Sequence, residues 1–417
     1  PPLANVVASM KYTELVGLKV SFINMPLREN AAPNTPPQGP ALMAARLRQY
    51  GAIPSIIDLN AYRIKDEQAE REGKSEIGRH LNLNEAEQLI SATFEKHGEP
   101  DLIGLSGMIT TLKWQSDVVT MCRKLCRDAF IVSGGGLATE LTSALFEWIP
   151  QLDAISHSEG DDIILVICRF LNDAKKRFGI GRRNTLEKSP YRIGEINGRE
   201  RYIFGGERPR NIDHLPFAAW DLLEDDVYGN NLLDWYINVP VWGDSANNSS
   251  ATPFKMKRSL TTVSSRGCPY ACAFCYRGAQ GERNYRMRSA KSLRGEVEWL
   301  LKTYDLDFVG FPDDNFAVDK RRINLLPDAF EGLTFRWGTH TRLDEADERL
   351  ENMAAAGCVY IGFGAESAAQ TTLTRMKKGG FILRRGLTDV NGFKFPVTMY
   401  EGIKKCKEVG IHANCTW

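Results

Sequence analysis

The sequence predicts an α/β protein made of two consecutive parallel-sheet arrays. Three observations carry that reading. Short apolar runs alternate with amphipathic helical stretches from Leu18 to about Lys176, the same alternation resumes after Leu260, and loops rich in Gly, Asn and Ser stand where the apolar runs end. Composition agrees: 43% of the 417 residues are hydrophobic and 25% charged, close to the globular average and far from a disordered chain. Lys plus Arg number 53 and Asp plus Glu 52, a net charge of +1 that argues against a protein coating nucleic acid or an anionic membrane. No run of about 18 apolar residues occurs, and Pro1–Asn5 does not begin a signal peptide. The expectation is a soluble, cytoplasmic protein with neither nucleic acid nor membrane as a partner. Its nine cysteines then read as reduced thiols or metal ligands rather than a disulfide framework.

The first domain, residues 1–176, is expected to be a Rossmann-like, doubly wound parallel sheet of five strands. Leu18–Met25 is a buried-strand run, followed by a Pro/Asn-rich loop and a helix over Pro40–Tyr50 that Gly51 ends. Ile53–Leu59 is the second strand, Glu85–His97 a helix, and Leu102–Met108 the third strand. Lys113–Arg127 is helical, Phe130–Ser133 the fourth strand, Thr139–Trp148 helical, Leu152–Ser156 the fifth strand and Asp161–Lys176 the last helix. Ligands of such sheets bind beyond the strands' carboxyl ends. Those loops are Asn24–Gln38, Ser106–Thr111, Ser133–Gly136 and His157–Asp162. Gly134-Gly135-Gly136 lets backbone approach a bulky ligand, or serves only as a tight turn; it matches neither a dinucleotide nor a P-loop spacing. Residues 177–259 read as a connecting region, with a hairpin over Tyr191–Ile203 turning at Asn197-Gly198 and a polar stretch at Gly243–Ser250.

Residues 260–417 carry the sharpest signal. After the strand-like run Leu260–Val263 comes Cys268-Pro-Tyr-Ala-Cys272-Ala-Phe-Cys275. Three thiolates so close together can hold one small iron–sulfur cube while leaving one iron open to a substrate. Zinc would need a fourth nearby ligand, and the next His or Cys downstream is His340. Beyond the triplet the pattern is helix Ser289–Tyr304, strand Phe308–Phe311, strand Thr334–Gly338, helix Asp344–Ala356 and strand Val359–Phe363. A fifth strand begins at His412, an alternation of the kind that builds a β/α barrel. Gly379–Val397 is a long connection, either a substrate loop or an insertion. Arg283, Arg286, Arg288, Lys291 and Arg294 form a basic run, read either as a docking patch or as a solvated helix start.

The C-x3-C-x2-C spacing with Phe274 before the last cysteine resembles the signature of radical S-adenosylmethionine (SAM) enzymes, which implies a partial (β/α)6 barrel, incomplete at its C-terminus. That resemblance implies that Cys268, Cys272 and Cys275 hold a 4Fe–4S cluster whose open iron chelates SAM. It implies SAM contacts from Asp313, Asp314 and Asn315 after the second barrel strand, from Glu366 and Ser367 after the fourth, and from Phe274 and Tyr276 beside the adenine. With the five-stranded domain in front, Pro36-Pro37-Gln38-Gly39 before its first helix and Asp58 ending its second strand, the chain resembles the cobalamin-dependent branch of that family, methyltransferases in particular. Cobalamin is then expected over Asn24, Gln38, Ser106, Gly107, Ser133, Gly134, Gly135, Gly136 and His157. The usual D-x-H-x-x-G cobalt-ligand motif is absent, because His157 lacks the preceding aspartate. The implied reaction is C-methylation of a small-molecule, amino-acid or peptide substrate through methylcobalamin, with cyclisation or rearrangement as the alternative and a cobalamin-binding regulator as a third reading. Flavodoxin or ferredoxin would supply the electron.

Overall fold

The computed structural model describes residues 3–26, 35–62, 81–178, 189–206, 208–238, 256–276 and 283–416. The polar stretch Gly243–Ser250 and the middle of the Asn24–Gln38 loop lie outside them. The chain divides into two compact units, Pro1–Pro209 with Leu215–Tyr236, and Arg210–His214 with Ile237–Trp417. Most of the segment that reads as a connector therefore falls within the first unit.

The first unit is built on strands β1 (Lys19–Asn24), β2 (Ile53–Asp58), β3 (Leu102–Ser106), β4 (Phe130–Gly134), β5 (Ala154–Ser156), β6 (Arg192–Ile196) and β7 (Arg199–Phe204). They form one sheet in the order β2-β1-β3-β4-β5-β7-β6. The interiors of β1, β3 and β4 are continuously buried, as expected of parallel strands covered on both faces. The order 2-1-3-4-5 is that of doubly wound sheets whose crossover direction reverses between β1 and β3, which puts the ligand crevice at the ends of those strands.

The sheet is wider than the five strands expected. The hairpin turns at Asn197 and Gly198, both with positive φ (53° and 71°), as a two-residue turn with the twist of its strands requires. Its second strand, β7, then pairs in parallel with β5. Helix Leu83–His97 starts on a capping box between Asn82 and Glu85. The stretch 139–148 is two short helices, Gly135–Leu141 and Leu145–Trp148, broken where Thr142 takes φ 45°.

The second unit contains β8 (Ser259–Thr261), β9 (Ser265–Arg266), β10 (Arg286–Met287), β11 (Phe308–Phe311), β12 (Arg336–Arg342), β13 (Cys358–Gly364), β14 (Leu387–Val390), β15 (Phe393–Pro396) and β16 (His412–Thr416). Five of these form a parallel sheet in the order β8-β11-β12-β13-β16, each strand adding on the same side, which is how a barrel wall grows. The third strand lies nearer the C-terminus than the apolar pattern placed it, at Arg336–Arg342 rather than Thr334–Gly338. The following helix likewise begins late, at Arg349, after a 3-10 turn over Leu343–Glu345. The long connection at 379–397 folds as a helical turn and the antiparallel hairpin β14–β15. Phe311, Phe316 and Trp337 are fully buried with ring centroids 5.1–5.6 Å apart, and the Trp337 indole N–H donates to the Ala356 carbonyl at 2.8 Å. Among the described residues no helix is long and apolar enough to cross a membrane.

Candidate functional site

In the first unit the strand registers align Asp58, Asn24, Ser106 and Gly134 as successive Cα partners across β2, β1, β3 and β4. One row thus crosses the reversal point. Asn24 donates to the Asp58 carboxylate at 2.7 Å, and Asp58 also accepts from the Tyr236 hydroxyl (2.7 Å) and the Asn60 N–H (3.0 Å). Burial raises the Asp58 carboxyl above its ordinary range, and these donors pull the other way. The Ser133 side chain is fully buried and donates to Gln115 at 2.9 Å, so it anchors the glycine turn from below. Gly135 has φ +81°, and a Cβ there would meet the Ser106 hydroxyl at 2.7 Å. A Cβ on Gly107 would meet Gln115 and Thr111 side chains at 2.3 Å, while one on Gly136 would meet nothing within 4 Å. The result is a cradle of packed glycines with open space above Gly136. Gln38 begins helix Gln38–Arg48, half-exposed. His157 is half-buried, and its backbone N–H donates to the Phe204 carbonyl at 2.7 Å, which makes it a continuation of the β5–β7 ladder.

In the second unit β9 and β10 pair across the base of the cysteine loop. Gly267, next to Cys268, has φ +79°, and a Cβ there would lie 1.9 Å from the Asn284 carbonyl oxygen. Only glycine fits that step. Asp313, 3% exposed, accepts from the Ser264 N–H (2.8 Å), the Ser264 hydroxyl and the Ser265 hydroxyl (2.6 Å). Arg322 closes the group on the Ser264 carbonyl at 3.0 Å. Burial pushes the Asp313 carboxyl up, opposed by the Arg322 charge. Asp313 thereby braces the entry to the cysteine loop, whereas Asp314 is exposed.

The nine cysteines are all free. Cys272 is buried, and Cys268 and Cys275 are half-buried. Arg342, ending β12, donates to the Cys272 sulfur at 3.3 Å, and Asn315 approaches the Cys268 sulfur at 4.0 Å. Burial pushes the Cys268 thiol up, while the Tyr270 N–H, the Arg342 charge and the Asn315 amide act against that rise. Among the described residues no three His, Cys, Asp or Glu side chains close on a single-ion site. A four-iron cube instead holds its thiolates on separate corners. The unbridged sulfurs and the donors aimed at them fit such a cluster.

Phe274 and Tyr276 are exposed. The Ala273 N–H donates to the Met376 carbonyl at 2.9 Å, and Lys378, nearly buried, lies 5.7 Å from the Phe274 ring centroid. Lys378 also pairs with Glu366 at 3.1 Å. Glu366 itself holds φ +63°, a sparsely populated conformation for a side-chain-bearing residue, fixed by its N–H on the Thr416 carbonyl at 2.8 Å. Ser367 accepts from the Ala369 N–H at 3.1 Å. The cysteine loop, β12 and the end of β13 thus converge on one region.

Sequence reasoning misses Tyr270, Glu345, Thr341 and Lys378, whereas it puts Arg342 and His340 at the end of the third barrel strand, where they could face the same cavity. The basic run does not survive as one patch. Arg288 is buried against Glu296, and Arg294 donates to the carbonyls of Ala329 and Glu331. His340 lies with its ring against Gly362 on the neighbouring strand.

Residues 262–416 match the Radical SAM superfamily. The chain is 25% identical over 325 residues to an uncharacterized methyltransferase of Pyrococcus horikoshii, covering 76% of this chain and 60% of that protein. It is 24% identical over 287 residues to the anaerobic magnesium-protoporphyrin IX monomethyl ester cyclase of Rubrivivax gelatinosus, covering 67% of this chain and 46% of the cyclase. Among solved structures, the cobalamin-dependent SAM radical enzyme OxsB, with aqua-cobalamin and SAM bound, superposes with a TM-score of 0.69 at 17% identity, covering 96% of this chain and 49% of OxsB. The chain therefore spans about half to three-fifths of these proteins' lengths. Residues 262–416 are a radical SAM domain, with the 4Fe–4S cluster and SAM that such a domain implies, in a chain that has the fold of the cobalamin-dependent radical SAM enzymes.

Proposed function

We propose that the protein is a cobalamin-dependent radical SAM methyltransferase, moving a methyl group from SAM by way of cobalamin to a carbon of a small-molecule, amino-acid or peptide substrate. The observation that carries this reading is the cysteine triplet, set on a loop beyond the carboxyl ends of a barrel-type sheet, in a chain whose other unit carries a glycine cradle at its own strand ends. When bound, the cluster and cobalamin supply reductive cleavage of SAM and carriage of the methyl group.

The chain's residues divide the remaining tasks. Cys268, Cys272 and Cys275 hold the cluster and leave one iron for SAM. Glu366 and Ser367 orient SAM from the end of β13, with Lys378 fixing the Glu366 carboxylate. Asp314 offers an exposed carboxylate to the SAM amino group, while Asp313 and Asn315 hold the loop and the sulfurs in place. Phe274 and Tyr276 flank the last cysteine, where backbone groups meet the adenine. Gly134, Gly135 and Gly136, with Ser106 and Gly107, bring backbone against the corrin, and Asn24, Gln38, Ser133 and His157 border that cradle. An electron donor of the flavodoxin or ferredoxin kind completes the system.

The match to a cyclase favours a second reading, the same cofactors without net methyl transfer. Anaerobic incubation with SAM, cobalamin, reductant and a metabolite extract, followed by mass spectrometry, separates the readings. A product heavier by one methyl is expected. SAM cleavage with a product of unchanged methyl count would favour the cyclase. Cluster-loaded protein that never cleaves SAM would overturn both.

A further inference from the structure

A buried polar network joins Cys272 to Cys268. Arg342, 7% exposed, donates from Nη1 to the Cys272 sulfur at 3.3 Å and from Nε to Asp344 at 2.9 Å. Its guanidinium carbon lies 3.9 Å from the centroid of the Tyr270 ring. The Tyr270 hydroxyl donates to Glu345 at 2.9 Å, and Glu345 accepts from Asn315 at 3.1 Å, the amide that faces the Cys268 sulfur. Thr341 Oγ lies 2.6 Å from both Asn315 Oδ1 and Glu345 Oε2, and its single proton serves one at a time. Arg342 is thus seated by three different groups, the Cys272 sulfur, the Asp344 carboxylate and the Tyr270 ring.

A guanidinium stays charged at all accessible pH and cannot release a proton to its neighbours. A donor on a ligand sulfur stabilises the more negative, reduced form of a cluster more than the oxidised form, which raises the reduction potential. The Asp344 carboxylate faces the same guanidinium and opposes that effect.

We propose that Arg342 and Asp344 form a charge-balanced pair that sets the reduction potential of the cluster, Arg342 raising it and Asp344 restraining the rise. The inference rests on the proposed cluster ligation by the three cysteines. Full-length wild-type protein and the variants Arg342→Met, Arg342→Lys and Asp344→Asn are reconstituted anaerobically, assayed for iron, and titrated against potential with the reduced cluster followed by electron paramagnetic resonance. Arg342→Met is expected to lower the reduced-to-oxidised ratio at fixed potential about tenfold, or about 59 mV for a one-electron couple. Asp344→Asn is expected to shift it the other way by a smaller factor, and Arg342→Lys to remain near wild type. Opposite signs from two neighbouring substitutions are not produced by general loosening of the loop.

If Arg342→Met fails to hold iron, the opposed shift in Asp344→Asn still decides the matter. Variants with full iron and unchanged midpoints would overturn the inference while leaving the cluster in place. Wild-type protein that binds no iron would overturn the ligation itself, and the inference with it.

Discussion

The carboxyl-end faces of the two sheets are built on opposite chemical plans. In the first unit the polar side chains turn toward one another, Asn24 and Tyr236 to Asp58 and Ser133 to Gln115, and the surface left over is glycine backbone. In the second unit sulfur, guanidinium and carboxylate groups crowd the loops, each pinned by a neighbour. The contrast shows two ways of preparing for a ligand. A large flat one is accommodated by removing side chains, and a small charged one by adding them and fixing each in place.

The strongest test of the charged face is removal of its sulfurs. Replacing Cys268, Cys272 and Cys275 together with Ala is expected to abolish the roughly four irons per chain and all SAM cleavage, measured by iron and sulfide analysis and by release of 5′-deoxyadenosine. A triple variant that kept its iron would sink the assignment.

The glycine face is tested by adding atoms. Gly136→Val enters open space and should leave thermal stability within about 0.5 kcal/mol of wild type. If cobalamin lies there, its affinity should fall at least about tenfold, or about 1.4 kcal/mol, by spectrophotometric titration. Gly135→Ala forces a side chain into positive φ and should cost about 1–2 kcal/mol of stability with or without ligand. Equal cobalamin affinity in Gly136→Val and wild type would remove the cradle from the ligand's footprint.

The smallest expected effect is at His157. Its backbone N–H belongs to the β5–β7 ladder, and the D-x-H-x-x-G context is missing. The cob(II)alamin spectrum of the wild-type complex should therefore lack an axial nitrogen triplet and be unchanged in His157→Ala. A triplet that disappeared in the variant would make His157 a cobalt ligand and give the glycine face a side-chain donor of its own.

What the sequence showed and what it hid follow from the range of the forces involved. Local patterns are legible: buried runs for β1 to β4, the Asn197-Gly198 turn, and three cysteines whose close spacing suits a small iron–sulfur cube. Pairings between distant segments are not. Nothing in Arg199–Phe204 announces that it joins the first sheet beside β5, because that register depends on partners elsewhere in the chain. Strand β12 was placed too early because Arg336, His340 and Arg342 interrupt its apolar pattern. The helix after it was started too early because Glu345 turns inward toward Asn315 and Tyr270 instead of continuing a helix. The residues that broke the pattern include those that shape the site.

The return of Leu215–Tyr236 to the first unit bears on how the chain is made. Domains emerging from the ribosome tend to fold in order from the N-terminus. Here the carboxylate of Asp58 is buried beneath a hydroxyl that follows it by 178 residues. Until Tyr236 has been synthesised, that acid has lost one of its donors, and the first sheet is a nascent structure with its ligand end unfinished. Ribosome-stalled chains ending before Leu215 would carry all seven strands and still lack this seal, so full protection of the sheet should come only after the segment that closes it.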